Sequence, residues 1–541
     1  MVFWFHLVSA VLFLAIAGVS AYWPPVAWGY VLLVPVWALG VYDTLQKRKA
    51  VLRNFPVIGH FRYLFELIRP EINQYFIESD TDGAPINRER RSIVYQRAKR
   101  VLDTLPFGTQ HDVYEPGYEW LNHSIAAKHP LESPPRITIG GPDCTQPYAA
   151  SLLNISAMSF GSLSSAAVRA LNAGAREGGF FHNTGEGGLS THHQSGGGDI
   201  CWQIGTGYFG CRDEHGRFDA RKFEERATLP QVKLIEIKLS QGAKPGHGGV
   251  LPKAKITDEI AAIRGVGKDK DVISPPAHSA FDSPRGLMEF VKLLRELSGG
   301  KPVGFKLCLG HPAEFVALCK AMIETGITPD FITVDGGEGG TGAAPLEFSN
   351  SVGTPLTEGL VGVHNALVGY DLRSRIKIIA SSKVITGFDM AKRLASGADL
   401  LNSARGFMLS LGCIQARRCN TNHCPVGVAT QDPKLVRGLV VTDKAKRVAN
   451  WHKETIEAFL ELLGAAGIPH PDDLRPHHIH RRLDQSRVET LDRIYTFIEP
   501  GALLRTPQPA PWADWIATTS ADSFTISPVG TWKGHSAPAR V

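Results

Sequence analysis

Between residues 150 and 412 the chain alternates short apolar runs with amphipathic stretches, and this alternation constrains the fold more than any other feature. Eight runs are predicted to be strands: Leu152–Ala157, Phe180–Asn183, Val232–Ile237, Asp271–Ser274, Val303–Leu307, Phe331–Val334, Ile376–Ala380 and Asp399–Asn402. Nearly continuous apolar strands separated by helices indicate a parallel sheet that is buried on both faces. Eight of them predict an α/β fold, a (β/α)8 TIM barrel, with residues 184–231 crossing its mouth.

The N-terminal segment has a different composition. Asp, Glu, Lys and Arg are all absent from Met1 to Tyr42, which is about twice the ~20 residues that one helical span needs. Trp23-Pro24-Pro25 divides the segment, so it predicts a helical hairpin that crosses the membrane twice. The basic run Lys47-Arg48-Lys49 predicts a multi-pass protein of the inner membrane with its catalytic part in the cytoplasm. A cleaved signal peptide and a re-entrant or interfacial second helix are the alternatives.

The composition of the whole chain narrows the class of protein. Apolar residues make up 43% and charged residues 20%, as in globular proteins. The net charge of +6 is mild and no basic stripe is interleaved with aromatic residues, so nucleic acid is not expected as a partner.

The expected organisation is two transmembrane helices in 1–45, a linker or cap in 46–149, the barrel in 150–440, a helical extension in 441–505 and a tail of little fixed structure in 506–541.

Three cysteines lie close together in the sequence at Cys413, Cys419 and Cys424, in a C-x5-C-x4-C run that ends in Cys-Pro. Free cysteines are often small buried apolar residues. A zinc site would need a fourth ligand, which His423 could supply. An iron–sulfur cluster suits a thiolate-rich loop of this kind, either a three-iron cluster or a four-iron cluster with one open corner. Such a site implies a reducing compartment.

Glycines, hydroxyls and single lysines follow the predicted strands. The ends of barrel strands form the working face, and the last two loops often bind phosphate. Gly339, Gly340, Thr341, Lys383, Ala404 and Arg405 are therefore expected to bind the phosphate of flavin mononucleotide (FMN) through backbone N–H groups and cationic side chains. A strand-linked G-x-G-x-x-G that opens a helix is not present, so the sequence does not predict a dinucleotide site.

Several long blocks resemble the synthase domain of glutamate synthase, over about residues 150–440. They are ISAMSFGSLS (155–164), NTGEGG (183–188), IKLSQGAKPGHGGVLP (237–252), ISPPAH (273–278), DGGEGGTGAAP (335–345) and GCIQARRCNTNHCPVGVATQDP (412–433). The chain is most similar to the stand-alone FMN-binding form with an N-terminal membrane segment. The resemblance implies FMN and a [3Fe-4S] cluster, and the reduction of 2-iminoglutarate, formed from 2-oxoglutarate and ammonia, to glutamate.

The resemblance also implies roles for individual residues. Cys413, Cys419 and Cys424 would hold the cluster, and Met158, Ser159, Lys306, Gly339, Gly340 and Lys383 would line the FMN. A lysine beside the flavin ring would stabilise negative charge on its reduced form. Lys238 and Lys244 would bind the carboxylates of a 2-oxo acid or imine, and Glu186 would handle an imine proton.

The chain departs from the family pattern at three positions. His247 and Val250 stand where glutamate synthases have an acidic residue and a glutamine, and Ser382 stands for a glycine in the phosphate loop. The glutaminase domain and the C-terminal β-helix are also expected to be absent, so ammonia would come free or from a partner. A membrane-bound flavin dehydrogenase that passes electrons from another small acid to quinone is an alternative, as is a non-catalytic barrel that senses redox state. The electron donor or acceptor, protein or quinone, is left open.

Overall fold

The computed structural model describes residues 1–101 and 104–527. Its contacts divide the chain into one unit from Met1 to Arg88 and a second from Glu89 onward. The first unit is helical, and the second contains the barrel.

The first unit begins with two long apolar helices. Its elements are α1 (Val2–Ser20), a 3-10 turn (Pro24–Trp28), α2 (Gly29–Leu45), α3 (Ala50–Asn54), α4 (Gly59–Ile72) and a π-helical turn (Asn73–Ile77). The Tyr30 ring stacks on Phe13, and its hydroxyl donates to the Phe13 carbonyl at 3.1 Å, which pairs α1 with α2. Val2–Ser20 and Pro24–Leu45 are long and apolar enough to cross a membrane.

The second unit is built around a closed barrel of eight parallel strands, which confirms the predicted fold class. The strands are β1 (Leu153–Ile155), β2 (His182–Asn183), β3 (Ile200–Ile204), β4 (Val232–Lys238), β5 (Val303–Cys308), β6 (Phe331–Asp335), β7 (Lys377–Ser381) and β8 (Leu400–Ser403). Inside the barrel the Glu236 carboxylate accepts hydrogen bonds from Asn183 at 2.8 Å, Gln203 at 2.7 Å and Thr333 at 2.6 Å. This buried network links four strands and gives the Glu236 carboxylate three hydrogen-bond donors.

One predicted strand lies elsewhere. The prediction that Asp271–Ser274 forms a barrel strand is wrong, because Val272–Ile273 pairs antiparallel with Val250–Leu251 in a separate ribbon. The missing barrel strand is β3, inside the stretch predicted to cross the mouth. Its polar Gln203 points at Glu236 and interrupts the apolar run that would have revealed it. The long excursion is instead residues 239–302, between β4 and β5.

Helices surround the barrel and continue beyond it. They are Arg88–Lys99, Ser165–Gly178, Thr191–Gln194, Ala220–Ala227, Asp258–Arg264, Pro284–Leu297, Pro312–Thr325, Leu346–Ser351, Leu356–Gly369, Gly387–Ala395, Arg405–Ser410, Pro433–Val436, Val441–Ala465, Leu491–Ile494 and Trp512–Thr518. Side-chain caps begin several of them, as where the Ser164 hydroxyl accepts the Ala167 N–H at 3.2 Å. Smaller sheets outside the barrel use Glu119–Leu121, Ile137–Ile139, Tyr148–Ala150, Ile479–Arg482 and Val488–Thr490.

The C-terminal extension is only partly helical. Val441–Ala465 is a long helix, but Ile479–Arg482 and Val488–Thr490 form an antiparallel hairpin that pairs with Glu119–Leu121. The turn of this hairpin is fixed by Asp484, whose carboxylate accepts the N–H groups of Ser486 and Arg487. In the segment expected to have little fixed structure, Trp512–Thr518 is a helix with a buried Trp512, and residues 528–541 of that segment lie outside the described residues.

Candidate active site

A largely buried ion pair, whose side chains are 9% and 16% exposed, lies at the C-terminal mouth of the barrel. Lys238 is the last residue of β4, and its Nζ donates to Oε1 of Glu186, in the loop after β2, at 2.6 Å. A Cβ on Gly205 would come within 2.7 Å of the Glu186 side chain, and one on Gly249 would collide with the carboxylate. The two glycines therefore let the backbone approach this carboxylate closely on two sides.

The charges around Glu186 keep it ionised. Burial raises its pKa, but Lys238, Arg264 and Lys244 together bring the pKa below the ordinary value. Burial lowers the pKa of Lys244 to about 8, and its Nζ donates to the Ala343 carbonyl at 2.5 Å. The mouth thus holds three cations around one carboxylate, which suits an anionic substrate.

Two residues of this site were not assigned from the sequence. Arg264, 5% exposed, ends the helix Asp258–Arg264 and donates to Ser159 Oγ at 3.3 Å and to the Phe160 carbonyl at 3.2 Å. His278 Nε2 donates to the Lys238 carbonyl at 2.9 Å. Burial lowers the pKa of His278 to about 4, so it is neutral and positions the end of β4. In the sequence, the one signal for His278 was its place at the end of ISPPAH (273–278), one of the blocks that resemble glutamate synthase.

A fourth cation lies beside this group, on the strand next to β4. Lys306, on β5, is buried, and its Nζ lies 3.1 Å from Asp335 Oδ2 at the end of β6. Burial lowers the pKa of Lys306, but Asp335 and Glu236 outweigh burial and raise it. The same Asp335 oxygen accepts the Gly242 N–H at 3.1 Å. Lys306 is therefore a fixed positive charge.

The predicted phosphate residues form a cationic cradle. Arg405 donates to the Glu338 carbonyl at 2.8 Å, and a Cβ on Gly340 would lie 3.1 Å from Arg405 Nε. Burial, followed by the charge of Arg405, lowers the pKa of Lys383, which indicates that the two cations face a common region. Ala404 precedes Arg405, and Thr341 Oγ1 donates to the Ala343 carbonyl at 3.1 Å.

Ser382 is the substituted position of this cradle. Its φ of 153° lies at the edge of the region that favours glycine, and Lys383 has a φ of 47°. Within residues 1–101 and 104–527, the Ser382 Oγ is buried without a hydrogen-bond partner. An orphaned donor beside two cations is the arrangement expected for a phosphate site that binds through hydroxyl and backbone groups.

Met158 and Ser159 lie in the loop after β1 and face the neighbouring glycine loop. Met158 is buried, and a Cβ on Gly185, which has a φ of 64°, would come within 2.7 Å of the Ser159 nitrogen. The two backbones approach so closely that only glycine fits there. Together with the Lys306 charge, the cradle and the orphaned Ser382 hydroxyl, these residues fit FMN.

The three cysteines follow β8 and pack on the loop after β1. Lys255 Nζ donates to the carbonyls of Ser162 at 2.6 Å and Cys419 at 3.1 Å, and the Ser164 hydroxyl donates to the Gly427 carbonyl at 2.7 Å. The cysteine loop is thus joined directly to the segment that carries Met158 and Ser159.

The thiols themselves are close but not gathered. Burial raises the pKa of Cys413 to about 12, with smaller contributions from the charges of Cys419 and Cys424. Among residues 1–101 and 104–527, however, no three His, Cys, Asp or Glu side chains are grouped to hold a metal ion. The donor chemistry of three thiols in one loop fits an iron–sulfur cluster.

His247 lies at the edge of the mouth. Its ring meets Phe348 edge-on at 5.2 Å, and it lines the same small cavity as Glu186, Lys238 and Lys244. Val250 begins the outer ribbon and pairs with Ile273. Of these two departures in the loop after β4, His247 lines the cavity with Glu186 and Lys238, whereas Val250 does not.

Comparison with known proteins finds similarity to glutamate synthases. The family described as a conserved region in glutamate synthase matches residues 138–469, more than half of the chain. A glutamate synthase large subunit-like protein, YerD, of Bacillus subtilis is 39% identical over 499 residues, 85% of this chain and 95% of that protein. An archaeal glutamate synthase [NADPH] of Methanocaldococcus jannaschii is 37% identical over 341 residues, 62% of this chain and 64% of that protein.

A solved structure of a mutant flavocytochrome b2 with pyruvate bound is 13% identical, with a TM-score of 0.39 over 85% of this chain and 93% of that one, which is too weak a likeness to bear on function. The family match and the similarity to YerD are sufficient to assign the family. The chain belongs to the glutamate synthase family of oxidoreductases.

Proposed function

We propose that this chain reduces 2-iminoglutarate to glutamate as a membrane-attached FMN and iron–sulfur enzyme. 2-Oxoglutarate and ammonia lose water to form the imine, whose carbon then accepts a hydride and whose nitrogen accepts a proton. The two electrons come from an external reductant. The observation that carries the proposal is the buried Glu186–Lys238 pair, with Lys244 and Arg264 within electrostatic range, at the mouth of a barrel of this family.

The charges suggest a role for each residue. Lys238 and Lys244 bind the two carboxylates of the substrate, and Arg264 adds positive charge to the same wall. Glu186 stays ionised because its pKa is lowered, so it accepts a hydrogen bond from the imine N–H and favours the protonated, more electrophilic imine. His278 holds the Lys238 backbone in place.

The cofactor residues are proposed on the same basis. FMN would be held by Met158, Ser159, Lys306, Gly339, Gly340, Thr341, Lys383, Ala404 and Arg405, and a [3Fe-4S] cluster by Cys413, Cys419 and Cys424. When bound, FMN supplies the hydride. Lys306, buried and charged, would stabilise negative charge on the reduced ring. The link from Lys255 to the carbonyls of Ser162 and Cys419 supports a short path between the two cofactor sites.

We also propose a membrane location and an order of segments along the chain. Residues 1–45 would cross the inner membrane twice, 46–149 would join them to the barrel of 150–440 in the cytoplasm, and 441–505 would form an extension before the tail of 506–541. The two apolar helices and the basic run Lys47–Lys49 support this orientation. A membrane location would allow either a protein or a quinone as redox partner.

His247 favours a second candidate, a flavin dehydrogenase that passes electrons from another small acid to quinone. An imidazole against Phe348, in place of the family's carboxylate, changes which group of a substrate can be recognised. The two candidates share both cofactors and differ in substrate and electron direction.

One experiment separates them. The full chain is purified anaerobically, its flavin is extracted, and glutamate formation is measured with 2-oxoglutarate, ammonium and reduced methyl viologen. Lys238→Met should lower turnover about 10²–10³-fold, while Lys233→Met, on the same strand but at its other end, should leave it unchanged. Flavin-free protein would refute both candidates, whereas quinone-analogue reduction by another acid without glutamate formation would leave the dehydrogenase.

A further inference from the structure

The helix α4 (Gly59–Ile72) is strongly amphipathic, and the proposed reaction does not use it. Its apolar residues Phe61, Leu64, Phe65, Ile68 and Ile72 recur at helical spacing and therefore share one face. Phe61 is 57% exposed, Leu64 48% and Phe65 59%, which is unusual for side chains of this size.

A second face of α4, about a quarter to a third of a turn away, is charged. Arg62, Glu66 and Arg69 lie on it at helical spacing, and Arg62 pairs with Glu66 at 3.0 Å. A helix with one charged and one large apolar face, exposed on both, is typical of helices that lie in a membrane interface.

A buried carboxylate fixes where α4 begins. Asp43, in the last turn of α2, is fully buried; it accepts the Val57 N–H at 2.9 Å and lies 2.9 Å from His60 Nε2. Lys49 Nζ lies over the Tyr63 ring at 4.2 Å. The start of α4 is therefore held at the end of the second apolar helix, where a spanning helix would leave the bilayer.

The charge around this junction has one sign. Residues 46–72 contain six basic residues and two acidic ones, a difference of +4 with His60 neutral. The basic residues are Lys47, Arg48, Lys49, Arg53, Arg62 and Arg69, and all six are exposed. Such a cluster next to a span is complementary to anionic lipid headgroups.

We propose that α4 lies in the plane of the membrane, with Phe61, Leu64 and Phe65 between the headgroups and the acyl chains and the basic cluster on anionic phospholipid. The inference goes beyond the proposed reaction and rests on the hairpin of α1 and α2 spanning the bilayer. It gives the chain a second attachment, which fixes the orientation of the segment that leads to the barrel.

Photo-crosslinking tests this in the full chain, reconstituted into vesicles of phosphatidylcholine with phosphatidylglycerol. A p-benzoylphenylalanine at Phe65 should form lipid adducts at about 5-fold or higher yield than one at Glu66, the adjacent residue on the charged face. Protein adducts at Phe65, to a second copy or to the barrel, would overturn the proposal and identify the true occupant. Equal lipid yields at the two positions would also overturn it.

A second variant tests the charge. Replacing Lys47, Arg48 and Lys49 by glutamine should lower the adduct yield at Phe65 in these vesicles, and removing phosphatidylglycerol should lower it for the native chain. An unchanged yield in both cases would refute the role of anionic lipid. Alkaline extraction examines the hairpin separately, and glutamate formation in detergent examines the reaction, so failure of either is distinguishable from failure of the α4 proposal.

Discussion

The Glu186–Lys238 site and the cysteine loop lie at the same end of the barrel but are built differently. The first is held by a strand end and by glycine backbones on either side of the carboxylate, and its ion pair is formed at 2.6 Å. The second is irregular chain in which Gln415, Arg417 and Asn422 have positive φ values of 57°, 54° and 65°. Strand ends fix the positions of side chains through the sheet, whereas the positions of the three thiols depend on irregular backbone.

The sharpest test of this difference is Cys419→Ser. We expect the iron–sulfur signal in electron paramagnetic resonance to be lost, because two thiolates cannot hold a three-iron cluster. The extracted flavin should be unchanged, since Cys419 is not part of the phosphate cradle. Cys144→Ser, at a half-buried cysteine outside the loop, is the control and should keep the full signal. A cluster that survives in Cys419→Ser would remove Cys419 from the ligand set.

Lys238→Met tests the Glu186–Lys238 site. It removes the closest partner of the largely buried Glu186 and leaves Arg264 and Lys244 near it, so the free energy of unfolding should fall by about 1–3 kcal/mol. Turnover should fall about 10²–10³-fold because a charge aimed at the substrate is lost. Urea denaturation and steady-state kinetics measure the two effects.

The double variant Lys238→Met with Glu186→Gln provides the control for this pair. Removing both charges should restore most of the stability but none of the turnover. If the two single losses simply added, the pair would not act as a unit. In the native chain the pair stabilises fully above the ordinary glutamate pKa of 4.5, and this stability should be lost as the pH falls through the lower pKa of folded Glu186.

The sequence predicts the barrel strands better than it predicts which sheet a short outer strand joins. Seven of the eight predicted strands lie in the barrel because apolar runs indicate buried parallel strands directly. β3 was missed because Gln203 faces the polar network around Glu236, and Asp271–Ser274 was misplaced because a short apolar run does not show which sheet it joins.

Contacts between residues that are far apart in the sequence were also not predicted. Arg264 is the last residue of a helix, a position where a cation usually faces solvent and the helix dipole, so nothing local indicated that it turns toward Ser159. The cysteine spacing predicted a shared site, but spacing alone does not fix how irregular chain brings three thiols together.

A smaller effect is expected from pH at Lys244. Its pKa of about 8 means that the ammonium loses its charge as the pH rises through 8, so affinity for a dicarboxylate should weaken about tenfold per pH unit above that point. The dissociation constant of 2-oxoglutarate without ammonium, read from the flavin spectrum, measures this and avoids the titration of ammonia itself. Lys244→Gln should bind more weakly and show no such dependence. A native profile that is flat between pH 7 and 9 would place Lys244 outside the substrate site.

The smallest effect is expected at Ser382→Gly, which sharpens what the phosphate loop contributes. Glycine accepts the φ of 153° and removes a buried hydroxyl without a partner, so flavin-free protein should gain about 1 kcal/mol despite the larger backbone entropy of glycine. Ser381→Gly is the matched control; it loses the contact between Ser381 Oγ and Ser156 Oγ at 3.1 Å and should be destabilised. If the Ser382 hydroxyl donates to the phosphate, Ser382→Gly will weaken FMN binding even as it stabilises the apoprotein. A variant with a more stable apoprotein and weaker FMN binding would show that the Ser382 hydroxyl contacts the ligand. A variant that improves both stability and FMN binding would show that the hydroxyl has no role in binding.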